Sequence, residues 1–74
     1  MFPGYTNFPK TAQIALLDMI YNMGSGTLRN KFPLMRAAVN RLDWVTAANE
    51  SHRRDIGKAR NAYVFNLFMQ AARQ

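Results

Sequence analysis

Four carboxylates, one imidazole and a dense basic cluster are the groups in this sequence that could do chemistry. The carboxylates are Asp18, Asp43, Glu50 and Asp55, the imidazole is His52, and the cluster is Arg53, Arg54, Lys58 and Arg60. Acid/base cleavage of a glycosidic bond needs two carboxyl groups flanking that bond, one of them protonated. No two of these four have a spacing that dictates such a pair, so no catalytic residue is assigned. Asp43 directly precedes Trp44 and reads as a helix N-cap, its carboxylate accepting from backbone N–H groups of the next turn. Asp55 stands beside two arginines as a solvated charge. Glu50 falls at a helix end and is expected to face Arg53 or Arg54.

Asp18 is different. It sits in the run Ala15-Leu16-Leu17-Asp18-Met19-Ile20-Tyr21-Asn22-Met23, apolar on nearly every face of a helix. Asn22 lies one turn further on and shares its stripe. An unpaired buried carboxylate costs several kcal/mol, so Asp18 must reach a cleft or a basic partner. The basic cluster has two readings: a solvated face, or an anion-binding rim formed by Arg53, Arg54 and Lys58 for phosphate, carboxylate or an acidic glycan. Arg60 and Asn61 fall in the first turns of the last helix, where a cation opposes the helix dipole. An arginine placed there calls for a partner. Tyr21 reads first as core and second as a stacking platform, while Phe32, in a loop before Pro33, fits either role.

The elements that must position these groups are all helical. Residues 1–8 carry turn formers interleaved with Phe2, Tyr5 and Phe8, as an aromatic lead-in or the stump of a connection. Residues 9–74 read as one helical lobe. Its first helix spans 9–23, expected to be a buried central helix that ends at the glycine-rich Gly24-Ser25-Gly26. A polar single turn at 27–31 follows, then a helix opened by Pro33 with Leu34, Met35, Ala37, Ala38, Val39 and Leu42 as its apolar side. Asp43 caps a short helix expected to bury Trp44, Val45, Ala47 and Ala48. Residues 51–55 form a turn, Gly57 breaks the pattern, and a last helix covers 58–72. The fold class is therefore a compact all-α bundle.

Composition narrows the function. A chain of 74 residues is one domain at most and buries roughly 60% of its unfolded surface, so its stability is marginal. With no cysteine there is neither a disulfide nor thiol chemistry, and a lone His52 cannot build a zinc site. No metal or cofactor is expected. The net charge of +6 favours anionic partners: nucleic acid, an acidic membrane surface or a bacterial envelope. No apolar run approaches the ~20 residues that span a bilayer, and residues 1–9 lack the pattern of a secretory signal. The expected location is cytoplasmic until release.

The order of landmarks resembles the C-terminal lobe of phage-type lysozymes and the related pesticin-like muramidases. The resemblance runs from Pro9 to Ala72. It rests on the 15–19 run with Tyr21-Asn22-Met23-Gly24, Phe32 after the glycines, Asp43-Trp44 with Ala47-Ala48, Ser51 and its basic neighbours, and Arg60-Asn61 leading to Leu67-Phe68. It implies one wall of a peptidoglycan-binding cleft in a bacteriolytic endolysin, with Tyr21, Asn22, Phe32 and Arg60 as substrate-facing residues. It also implies that the catalytic glutamate belongs to an N-terminal lobe, in cis or in trans, so that this chain alone is inactive. In the family the arginine matching Arg60 faces that acid. Here Asp18 is its expected partner. The alternative reading from another class is a small basic helical module that binds nucleic acid through the 53–60 cluster. A third, membrane disruption by a cationic helix, fits poorly because the last helix carries little charge after Arg60.

Overall fold

A computed structural model describes residues 2, 4–53 and 57–73, with nothing said of the side chains of Ser25 and Arg29. Among the described residues five α-helices follow a 3₁₀ turn at Tyr5–Asn7: α1 (Lys10–Met23), α2 (Ser25–Lys31), α3 (Pro33–Asn40), α4 (Trp44–Asn49) and α5 (Lys58–Ala72). Among the described residues no strand occurs. α5 packs against both α1 and α4, α3 packs on α4, and α2 links α1 to α3.

The composition of α1 explains its form. It is rich in Ala, Leu and Met, which lose little side-chain freedom in a helix. Pro9 precedes its first residue and accepts the Gln13 N–H at 3.1 Å through its carbonyl. Gly24 ends it with φ 84° and ψ 153°, a conformation open essentially only to glycine, and donates its N–H to the Ile20 carbonyl at 2.7 Å. α2 begins at the very next residue. The expected glycine-rich exit is thus a single-residue corner, with Gly26 already helical, and the expected single turn is a 7-residue helix.

The expectation that α1 is buried all round is corrected. Ala12, Ala15, Leu16 and Met19 form a fully buried stripe, whereas Ile14, Leu17 and Tyr21 face outward. Apolar residues at i, i+3 and i+7 on both sides make the sequence look uniformly apolar, but the described helices enclose only one side of it. The same limit corrects Val45, which is exposed where its neighbours Trp44, Ala47 and Ala48 are buried, and Leu34 and Leu42 on the α3 stretch.

Trp44 anchors the core. Its ring meets Phe8 edge-on at 5.0 Å and stacks on Phe68 at 6.2 Å, joining the lead-in, α4 and α5. The lead-in is fastened a second time by a reciprocal pair. The Tyr5 hydroxyl donates to the Gln13 carbonyl at 3.1 Å, and Gln13 Nε2 donates to the Tyr5 carbonyl at 2.8 Å. Burial pushes the Tyr5 phenol above its ordinary value.

At the α3–α4 corner, the Leu42 N–H bonds the Val39 carbonyl at 3.0 Å and the Asp43 N–H bonds the Ala38 carbonyl at 2.8 Å. This is the paired closure that normally places glycine in the left-handed position. Leu42 holds that position here, at φ 62°. Asp43 then caps α4 as expected, its Oδ1 accepting from the Thr46 N–H at 3.2 Å.

Candidate functional site

The expected pairing of Asp18 with Arg60 is present. Arg60 in the first turn of α5 donates from a terminal nitrogen to Asp18 Oδ1 at 2.6 Å, bridging residues 42 apart in sequence. A second guanidinium joins from the loop after α4: a terminal nitrogen of Arg53 lies 3.7 Å from Asp18 Oδ2. The three side chains differ sharply in exposure, at 5% for Arg53, 16% for Asp18 and 46% for Arg60. The carboxylate is therefore gripped from inside by a buried cation and from outside by one that faces water.

Asn61 sets this geometry. Its Oδ1 accepts the Arg53 N–H at 2.9 Å and its Nδ2 donates to the Arg53 carbonyl at 2.7 Å. The side-chain amide thus pairs with the backbone of Arg53 as a neighbouring strand would, holding the loop against α5. With its backbone fixed there, Arg53 turns inward rather than onto a solvated rim, which corrects the expectation of an external anion-binding role for it. Lys58 is exposed at the start of α5, and Arg54 lies outside the described residues, as does Asp55.

The expected substrate-facing residues differ in exposure. Tyr21 is 90% exposed, so its first reading as core is corrected: it sits on the outer stripe of α1, where nothing among the described residues covers it. Asn22 is also exposed and donates from Nδ2 to the Asp18 carbonyl at 2.7 Å. Phe32 is half-buried against the core at the N-cap of α3. Tyr21, Asn22 and Arg60 thus gather around Asp18, and Phe32 takes a packing role.

Beside the ion pair lies a groove of about 470 Å³ between the outer side of α1 and α5, lined by Ile14, Leu17, Asp18, Ile20, Tyr21 and Tyr63. The sequence reading missed Ile14, Leu17 and Tyr63 as surface residues. The available signal was the second apolar stripe at 14, 17 and 21. A smaller hollow of about 330 Å³ near the α4–α5 loop takes in Asn49, Ser51, His52 and Phe65, with His52 exposed.

The other described carboxylates, Asp43 and Glu50, have ordinary roles. Hydrogen bonds from Thr46, with help from Arg41 at 3.4 Å, hold the Asp43 carboxyl below its usual range. Glu50 is exposed at the C-terminal end of α4. Asp18 is the one carboxylate among the described residues that lines the α1–α5 groove, and its oxygens are directed at arginines. Among the described residues no group of His, Cys, Asp or Glu could hold a metal ion, and no helix is long and apolar enough to cross a membrane. No family model, curated protein or solved structure matches the chain.

Proposed function

We propose that this chain is the substrate-wall lobe of a peptidoglycan-cleaving lysozyme, with the catalytic carboxyl group supplied by another lobe in cis or in trans. One observation carries the reading. Tyr21 and Asn22 stand exposed at the end of α1, next to the water-facing Arg60. An aromatic face, an amide and a cation in one place suit a glycan strand, whose sugar rings offer apolar C–H faces and acyl and carboxylate oxygens. In this role the lobe meets its substrate at the bacterial cell wall.

Co-sedimentation with purified sacculi tests the proposal. The chain pellets with them, Tyr21→Ala and Asn22→Ala weaken the association, and the chain alone does not clear the walls. Clearing that depends on Glu50 overturns it. The charge of +6 supports one rival, phosphate binding, and a gel-shift titration separates the two. Steep loss of nucleic-acid affinity with salt, together with no sacculus binding, favours the rival.

A further inference from the structure

The outer stripe of α1 carries exposed apolar side chains besides Tyr21. Ile14 and Leu17 lie two turns and one turn before Tyr21, on the part of α1 farther in sequence from the exposed amide of Asn22. Leu17 is 56% exposed, and Tyr63 of α5 closes the groove on its other side. Exposed apolar side chains that cluster in this way, rather than scatter singly, point to an interaction site.

We propose that the α1–α5 groove is a docking surface for an amphipathic helix bearing a carboxylate beside its apolar stripe. Three observations select this occupant. The groove runs between two helices, and the 14/17/21 spacing presents a ridge that a third helix packs against. The charged residue lining it is Asp18, and Arg60, bound to that carboxylate, spends one terminal nitrogen on it and keeps nearly half of its side chain in water. A carboxylate completes that guanidinium, since planar bidentate pairing is what arginine offers. The chain's charge of +6 opposes a second copy of itself and favours an acidic partner. The inference goes beyond the glycan-wall reading and is tested without glycan.

The probe is a display library of helical peptides as long as α1, 14 residues, with a fixed apolar stripe and all other positions randomised. It is selected on the full chain and counter-selected on Leu17→Asp. Selected peptides carry Asp or Glu beside the stripe, lose about tenfold or more in affinity for Leu17→Asp, and lose severalfold for Arg60→Gln. Thermal melts of both variants establish that they fold. Peptides that bind Leu17→Asp equally well, basic flanks in the selected set, or no enrichment at all overturn the proposal. A concentration-dependent dimer abolished by Leu17→Asp overturns it in favour of self-association. Partition into anionic phospholipid vesicles abolished by the same change overturns it in favour of a membrane surface.

Discussion

Asp18 and Asp43 are the same residue in opposite circumstances. Asp43 serves the helix that begins beside it, accepting from Thr46 three residues on and meeting Arg41 two residues back. Asp18 serves the seam between α1 and α5, and its partners are Arg53 and Arg60, distant in sequence. The corner at Asp43 is specified locally, so its geometry follows from any chain that continues into a helix there. The seam at Asp18 exists only after α1, α5 and the intervening loop have docked. A local carboxylate starts an element, whereas a non-local one selects how elements are assembled.

Truncating each aspartate separates these roles. Asp18→Ala has the largest expected effect, a loss of about 2 kcal/mol by urea unfolding, because it removes a charge-assisted hydrogen bond and the carboxylate facing a buried guanidinium. A loss indistinguishable from zero breaks the comparison. At the corner, Leu42→Gly relieves a left-handed leucine and is expected to stabilise the fold by about 0.5–1 kcal/mol, raising the thermal midpoint. Arg60→Ala is milder than Asp18→Ala, since Arg60 is half in water. A double-mutant cycle of the two is expected to give a coupling of about 0.5 kcal/mol that shrinks as salt is added.

The smallest effect concerns acid. Asp43 has a folded pKa below its ordinary value of 3.8. Its contribution is therefore fully present above that value and is lost as the pH falls toward the depressed folded pKa. Asp43→Asn keeps the cap but not the charge, so its neutral-pH melt is expected slightly below the parent, while its stability falls less steeply with acid. An acid limb unchanged in steepness counts against the assignment.

The same contrast explains what the sequence made legible. The cap at Asp43, the opener at Pro33, the break at Gly57 and the extent of α5 are local signals found where they were read, and α1 starts one residue later than read, with Pro9 as its N-cap. The Asp18–Arg60 pair was legible in another way, as two side chains each in a setting that demands a partner. The faces of the helices were not legible. The apolar pattern of α1 supports two opposite stripes, and only the number of helices available to cover them decides that one stays open. The inward turn of Arg53 was hidden as well, because it depends on Asn61 pairing with its backbone across eight residues.

The setting of Trp44 has a further use. It is the sole tryptophan of the chain, with its ring against Phe8 and Phe68. Its fluorescence is therefore a built-in, label-free gauge of whether the lead-in, α4 and α5 are docked together, read as a red shift when water reaches the indole. None of those ring partners belongs to the outer stripe of α1. A ligand seated on that stripe should leave the emission maximum where it is, so one optical signal tells occupancy of the groove apart from loosening of the core.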